Sequence, residues 1–243
     1  MSEKTITVLG ELAASDSLKR ELCGMDVMAS KMIRCISLYI KSLDEKLAGR
    51  LLSCTKESLQ VAILDCARIG LYPSSRGNVY LIPYGNKCKV MIGYLGMEEL
   101  ALRNPAIMKV QARLVYAGDE FRVTYGSDDK IIHVPDLTSG EKTIIYAYAF
   151  LKFKNNTEMS EIMSIEELEK ARQTSKSPDS PAWKNWRGEM YKKVVMKRLK
   201  KHIPYDDNLS EALTLDNGQF NEVVETATVN SEEELLKLCD KEE

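Results

Sequence analysis

Basic side chains recur at helical spacing between Ala182 and Tyr205, where eight lysines and arginines and one acid give a net charge of +7. In a helix, Lys193, Lys197 and Lys200 would form a row of ammonium groups roughly 5 Å apart. That step is close to the separation of phosphates along one nucleic-acid strand, so the segment predicts contact with a phosphate backbone without base reading. A solvated helix face that binds nothing is the alternative.

Aromatic side chains accompany the basic ones. Trp183 and Trp186 open the basic segment and would either dock its helix onto the core or stack on nucleobases. Upstream, tyrosines interleave with lysines and arginines at Tyr80, Tyr84, Lys87, Lys89, Tyr94, Arg103, Arg113 and Tyr116. Because alternate strand residues share a face, a sheet of these residues would present either a groove for a single strand or a set of half-buried tyrosines.

Signatures of the common enzyme classes are missing from the sequence. It has no G-x-x-x-x-G-K-[ST], H-E-x-x-H or G-x-S-x-G pattern, two histidines (His133 and His202), and six cysteines without a C-x-x-C pair. These features disfavour phosphate-loop hydrolysis, zinc sites and histidine-based hydrolysis. We therefore predict a protein without covalent catalysis and without a cofactor. A metal-dependent nuclease, which needs converging carboxylates, and a module that only binds single strands or a protein partner remain the alternatives.

Charge is divided unevenly along the chain. Residues 206–243 carry twelve acidic and two basic side chains, a net of −10, which leaves +8 on residues 1–205. This asymmetry predicts a polyanion-binding body followed by a flexible acidic tail that contacts a protein partner. A disordered, solubilising tail is the alternative. Within the tail, Ser231-x-x-Glu234 has the spacing of a helix-capping box.

The order of helical and strand patterns indicates an α+β fold. The apolar stripe from Met28 to Leu43 predicts a helix that contacts a second copy or caps the core. Thr55 and Gly70 have the residue types of a helix start and stop. Strand patterns at 78–84 and 88–94, at 110–116 and 120–125, and at 143–154 and 158–163 predict three hairpins of one curved antiparallel sheet, with a short strand at 131–134. Ser164-x-x-Glu167 predicts another helix, and a long basic helix follows from Pro181 to Pro204.

Several sequence patterns bear on where in the cell the protein is found. The longest stretch without an acidic or basic residue is ten residues, from Gly77 to Asn86, which is too short for a membrane-spanning helix. The start of the chain carries Glu3 and Lys4 and no apolar run, so no secretory signal is predicted. Six scattered cysteines are typical of reduced, buried thiols. We expect a cytoplasmic protein.

Four blocks of the sequence resemble the RecT family of phage single-strand annealing recombinases. They are LQVAILDCARIGLYPS (59–74), NVYLIPYGNKCKVMIGYLGMEELALR (78–103), VQARLVYAGDEF (110–121) and EMYKKVVMKRLKKHIP (189–204). The resemblance extends over roughly residues 20–205. It implies a protein of a bacterial host cell that coats single-stranded DNA and pairs complementary strands without ATP, in rings or helical filaments.

The resemblance also implies partners and site residues. A phage exonuclease would supply the single strands, and the host single-strand binding protein is a second expected partner. The basic-helix motif of the family falls on Met190, Lys193, Lys197 and Arg198. Val194 stands where the family usually has threonine, and Lys197 where it usually has arginine, which loses the bidentate fork. Mg²⁺ dependence is known in related families, but no ligand set is visible here.

The sequence thus predicts three regions and one site. Residues 1–54 would form a helical region with oligomer contacts, residues 55–205 the DNA-binding annealing core, and residues 206–243 the acidic tail. The predicted DNA-binding residues are Lys193, Lys197, Arg198, Lys200, Lys201, Lys192, Arg113, Arg103, Lys87, Tyr84, Tyr94 and Trp183. They would neutralise phosphates of two strands and leave base edges free to pair.

Overall fold

The computed structural model describes residues 11, 15–21, 26–126, 129–138, 140, 143–203, 210 and 212–216. Its helices are α1 (Asp16–Glu21), α2 (Asp26–Ser42), α3 (Glu45–Leu52), α4 (Lys56–Ile69), α5 (Tyr94–Leu102), α6 (Ile165–Gln173), α7 (Pro181–Asn185) and α8 (Arg187–Leu199), and a 3-10 turn (Lys200–His202) follows α8. Its strands are β1 (Val79–Tyr84), β2 (Lys87–Ile92), β3 (Ile107–Tyr116), β4 (Glu120–Thr124), β5 (Lys130–Val134), β6 (Ile144–Phe153) and β7 (Glu158–Ser164). Helices combined with antiparallel strands confirm the predicted α+β class.

The N-terminal helices begin and end at the predicted signals. The Thr55 hydroxyl accepts the Ser58 N–H at 3.3 Å and caps α4. Gly70 ends α4 with a left-handed φ of 66°, which glycine adopts at little cost. The apolar stripe on α2 is buried, with exposures of 4% or less at Met32, Ile36, Tyr39 and Ile40. The described part of this stripe therefore caps the core, and it does not require a second copy to cover it.

The strands form three small antiparallel sheets in the described part of the chain, in the orders β1-β2, β3-β6-β7 and β4-β5, and not the one curved sheet predicted from the sequence. The hairpins β1-β2 and β6-β7 confirm two predicted pairs. The predicted pairing of β3 with β4 is wrong, because β3 pairs with β6 and β4 pairs with β5. The reason lies in length and burial. Strands β3 and β6 each have ten residues and share a buried face, whereas β4 has five residues, none of them buried.

The β3-β6-β7 sheet has one buried and one open face. Val110 and Ala112 of β3 and Ala147, Ala149 and Leu151 of β6 belong to the core, against which α8 packs. The alternate residues of the same strands lie on the opposite face, as the two-residue period of a strand requires. That open face carries polar and aromatic side chains and forms the floor of the site described below.

The basic segment is broken into two helices, where the sequence predicted one helix from Pro181 to Pro204. Trp186 has φ −129° and ψ 39°, which are not helical, and separates α7 from α8. Gly188, in the first turn of α8, lies so close to β3 that an added Cβ would be 2.8 Å from Leu114 Cδ1. The break thus accompanies a close approach of α8 to the sheet. The predicted capping box of Ser164 and Glu167 is confirmed at the start of α6.

The described part of the acidic segment belongs to the core. Residues 212–216 are helical, and Ala212 and Leu213 are 0% and 4% exposed within the same cluster of buried residues. The chain is therefore still part of the packed core ten residues past the boundary predicted at residue 206. The predicted capping box at Ser231 lies outside the described residues. Among those described, no helix combines the length and the apolar character that crossing a membrane would need.

Candidate nucleic-acid interface

The most basic helix, α8, packs against a buried carboxylate. Asp216 Oδ1 lies 2.8 Å from Lys193 Nζ, and its Oδ2 lies 2.5 Å from Lys197 Nζ. Oδ1 also accepts the Ile92 N–H at 3.1 Å. Burial alone would raise the pKa of Asp216, but the two ammonium groups hold it below its usual value, while burial lowers the pKa of Lys193. The Lys193 side chain is 7% exposed. A phosphate therefore cannot reach Lys193 in this arrangement, contrary to the sequence expectation.

Two predicted arginines are also engaged inside the protein. Arg198 lies 2.9 Å from a carboxylate oxygen of Glu161 and 3.0 Å from one of Glu167. Arg103 donates to the Ile69 carbonyl at 2.9 Å, so its guanidinium satisfies the C-terminal end of α4. Charge from elsewhere in the chain thus already neutralises Arg198, and Arg103 has a role in joining α5 to α4.

Other predicted residues are one buried aromatic side chain and residues of two turns. Trp183 is 4% exposed in the core, so it docks its helix and is not available for stacking. Tyr84 and Lys87 are exposed and face each other across the β1-β2 turn. Lys200 and Lys201 lie in the 3-10 turn after α8. Trp183, Tyr84, Lys87 and Lys200 do not line the groove described below.

A groove of about 790 Å³ runs along β3 and over the open face of the β3-β6-β7 sheet, with the β4-β5 hairpin as its opposite wall. Its basic lining residues are Lys109, Arg113, Lys130 and Lys192. Its aromatic lining residues are Tyr94, Tyr116, Tyr148 and Phe150. Lys192, Arg113 and Tyr94 are thus the three predicted site residues that the structure brings together.

On the floor of the groove, polar or charged residues of β3 lie opposite aromatic residues of β6. Arg113 pairs with Tyr148 across β3 and β6, and Gln111 pairs with Phe150. Lys109 Nζ lies 5.1 Å from the centre of the Phe150 ring. Tyr148 is 7% exposed and packs against Phe121 and His133, so Phe150 is the floor ring that this arrangement offers for stacking beside cations for phosphates.

Lys192 brings α8 to the rim of the groove. Its ammonium lies 4.1 Å from the centre of the Tyr94 ring and 2.6 Å from Glu189 Oε1. Burial alone would lower the pKa of Lys192, but hydrogen bonds to Glu189 and Tyr94 raise it above its usual value. The ammonium is therefore firmly charged at neutral pH.

A hydrogen-bonded chain joins the β4-β5 hairpin to the floor. His133 Nε2 lies 3.0 Å from Asp119 Oδ2, and His133 Nδ1 lies 3.2 Å from the Tyr148 hydroxyl. Hydrogen bonds from the Tyr116 and Asp136 N–H groups and from His133 lower the pKa of Asp119 to about 2. Since an ionised carboxylate only accepts, Nε2 carries the ring hydrogen, and in the neutral ring Nδ1 accepts from Tyr148. These hydrogen bonds attach the β4-β5 hairpin to β6 of the groove floor.

The carboxylates that line the groove all have hydrogen-bond or ion-pair partners in the protein. Asp119 is 1% exposed and is held as just described. Asp129 accepts the Gly126 N–H at 2.7 Å, and Glu158 lies 2.8 Å from Lys152 Nζ. Glu98 accepts the Ala112 N–H at 2.9 Å, and burial raises its pKa. By contrast, no carboxylate of the described residues lies within ion-pair distance of the basic groups of Lys109, Arg113 and Lys130.

Two comparisons with known proteins agree with each other. The model of the RecT family matches residues 32–231. Protein RecT of Escherichia coli strain K12 is 32% identical over 215 residues, which cover 84% of this chain and 78% of that protein. The chain belongs to the RecT family. It is therefore a DNA recombination protein of the strand-annealing type, and the matched region contains every residue that lines the groove.

The groove of this RecT-family chain includes side chains that the sequence interpretation missed, namely Lys109, Lys130, Tyr148 and Phe150. One signal was present in the run from Tyr146 to Phe150, where aromatic residues alternate with alanines and so place the rings on one face. No sequence signal places Lys130 and Lys109 in the same groove. Their common position depends on how the β4-β5 hairpin packs against the β3-β6-β7 sheet. Among the described residues, no group of three His, Cys, Asp or Glu side chains is placed to hold a metal ion. The expectation of a protein without a cofactor stays a prediction.

Proposed function

We propose that this RecT-family protein binds single-stranded DNA along the groove and anneals complementary strands without ATP. The observation that carries the proposal is the combination of the Phe150 ring with exposed cations at Lys109, Arg113 and Lys130, which no carboxylate of the described residues pairs with. Cations bind the backbone of any sequence, and rings stack on any base. Both properties suit a protein that must accept every sequence before pairing it.

Annealing follows from charge neutralisation and needs no covalent step. Two free strands repel each other, and cations placed along one of them lower that repulsion. Each correct base-pair step then stabilises the product by roughly 1.4 kcal/mol of stacking, so only complementary strands hold together. Nothing in this sequence of events consumes a nucleotide, which is consistent with the absence of a phosphate-loop motif.

The size of the groove favours action by several copies. A volume of about 790 Å³ is that of a site for one compact ligand, roughly 300–1,000 Å³. One copy therefore contacts a few nucleotides, too few to test complementarity by itself. We propose a homo-oligomer, as a ring or a helical filament, that aligns successive grooves on one strand. The exonuclease and the single-strand binding protein are proposed partners of the acidic residues beyond Asp216.

The test compares a groove variant with a matched surface variant. Lys109→Ala/Arg113→Ala removes two groove cations, and Lys46→Ala removes an exposed lysine of α3 that does not line the groove. We expect the double variant to lower the slope of log K against log salt for a single-stranded oligonucleotide by about 1.4, or 0.7 per contact. Annealing of two complementary labelled oligonucleotides without ATP should slow in parallel.

Lys46→Ala should leave both the slope and the annealing rate unchanged. Equal behaviour of the two variants would show that DNA does not follow the groove. A full-length protein that binds single strands but never accelerates annealing at any salt concentration would contradict the annealing proposal and leave the binding site standing.

A further inference from the structure

Trp186 is an exposed indole at the junction of α7 and α8. The chain has two tryptophans. Trp183 is 4% exposed and packs against Tyr191, whereas Trp186 is 67% exposed. A tryptophan has a large apolar surface, and leaving it in water forgoes the stabilisation that burial gives. Core packing therefore explains Trp183 and does not explain Trp186.

The charges around Trp186 favour a polyanion as its ligand. Its neighbours Lys184 and Arg187 are both exposed. Among the described residues, no carboxylate lies within ion-pair distance of Lys184, and the Glu169 contact of Arg187 is long, at 3.7 Å. An aromatic ring between two accessible cations matches a base between two phosphates. An apolar protein surface would instead leave these cations without partners.

Trp186 is also close to the groove along the chain. Gly188, two residues further on, approaches Leu114, and a Cβ there would be 2.8 Å from Leu114 Cδ1 and 4.0 Å from Ile144 Cδ1. Leu114 and Tyr116 of β3 line the groove. Leu114 shares the two-residue period of Val110 and Ala112, so this contact lies on the face of β3 against which α8 packs. The α7–α8 junction is therefore near the β3 edge of the sheet, which borders the groove.

We infer that Trp186 stacks on a nucleobase of single-stranded DNA just outside the groove, while Lys184 and Arg187 contact the adjoining phosphates. This inference rests on the proposed function, since it extends the path of the same strand. It assigns to Trp186 the role in DNA binding that the predicted site gave to Trp183. Replacing a stacked aromatic side chain with alanine weakens binding by about fivefold to a hundredfold.

The experiment uses the two tryptophans as their own control. In the full-length chain, Trp183→Phe leaves Trp186 as the single indole, and Trp186→Phe leaves Trp183. Each variant is titrated with an oligothymidylate and with an abasic oligonucleotide of equal length, which keeps the phosphates and lacks the bases. We expect the oligothymidylate to quench the fluorescence of Trp186 strongly, the abasic strand to leave it nearly unchanged, and Trp183 to respond to neither.

Affinity provides a second measurement that does not depend on the Trp183→Phe variant folding. Trp186→Ala should bind the oligothymidylate about fivefold to a hundredfold more weakly, bind the abasic strand as the unaltered chain does, and be largely rescued by Trp186→Phe. Equal weakening for both strands, or none, would overturn the inference.

Two further outcomes separate this inference from the proposed function. DNA binding that depends on Lys109 and Arg113 but leaves Trp186 fluorescence unchanged would refute the stacking role alone. Quenching that depends on protein concentration and not on DNA would assign Trp186 to a contact between copies and also overturn it. Failure of the unaltered chain to bind any single strand at low salt would remove the proposed function and this inference together.

Discussion

Helix α8 and the groove are both basic, but they differ in what surrounds their charges. On α8, the cations follow one another in the sequence, and carboxylates from distant segments pair with them: Asp216 with Lys193 and Lys197, and Glu161 with Arg198. In the groove, Lys109 and Arg113 come from β3 and Lys130 from β5, and no described carboxylate pairs with them. Density of charge along a sequence is therefore a poor guide to the charge that a ligand meets.

The largest expected effect concerns the ion pair beneath α8. Asp216→Ala should lower the free energy of unfolding by about 3–5 kcal/mol, because it leaves the buried ammonium of Lys193 without a counter-charge. Urea unfolding followed by circular dichroism measures this change. Lys193→Leu/Asp216→Leu removes both buried charges and should be clearly more stable than Asp216→Ala.

This measurement distinguishes a buried structural ion pair at Lys193 from a lysine that is accessible to DNA. A loss below about 1 kcal/mol for Asp216→Ala would mean that Lys193 readily reaches water. Lys193 would then be accessible to a phosphate, and its predicted role in DNA binding would be favoured over a structural role in the core.

The second prediction compares one arginine from each region. Arg113→Ala should weaken single-strand binding by about tenfold and lower the salt slope by about 0.7, because Arg113 is exposed and unpaired among the described residues. Arg198→Ala should change binding less than twofold, since two carboxylates already neutralise Arg198. Fluorescence polarisation over a range of salt concentrations measures both. If Arg198→Ala gives the larger change in slope, the sequence-based site on α8 is correct and the groove is not the main path.

The third prediction concerns Asp119, a groove carboxylate whose hydrogen bonds stabilise the fold. Asp119→Asn should lower stability at neutral pH by about 1–2 kcal/mol, because it weakens charged hydrogen bonds to two N–H groups and to His133. The folded pKa of about 2 lies below the ordinary value of 3.8. The contribution of Asp119 is therefore complete above about pH 5 and is lost as the pH falls towards 2.

Urea midpoints of Asp119→Asn and of the unaltered chain, measured between pH 2 and 7, check this dependence. The two midpoints should differ by a constant amount from pH 5 to 7 and converge below pH 4. A difference that grows on acidification has the opposite sign and would contradict the hydrogen-bonding scheme at Asp119.

The smallest expected effect concerns the end of the chain. Ending the chain after Gly218 removes a net charge of −6 but keeps Asp216. Single-strand affinity should stay the same or tighten by less than about tenfold, because fewer negative charges oppose the DNA. Ending it at Tyr205 also removes Asp216 and should destabilise the fold as Asp216→Ala does.

Comparing the two truncated chains in binding and in recombination inside cells checks this division. Normal binding with reduced recombination for the chain ending at Gly218 would support a partner-binding tail. Loss of DNA binding for that same chain would instead place the DNA site beyond Gly218.

The sequence by itself determined the local structure and the family. The start of α4 at Thr55, its end at Gly70 and the cap of α6 at Ser164 were predictable from the sequence. So were the β1-β2 and β6-β7 hairpins, because each of these features depends on residues close together in the chain. The helical stripe of α2 and the α+β class followed from periodicity. The resemblance to the RecT family followed from four long blocks whose order and spacing match.

Tertiary structure alone decided which charges are free. The pairing of β3 with β6 joins residues about forty positions apart, and it creates the open face that carries Arg113 and Tyr148. Likewise, Asp216 neutralises Lys193 across 23 positions. Coulomb energy depends on distance in space and on burial, neither of which a run of lysines contains. The groove and the paired helix are therefore distinguishable only after the chain has folded.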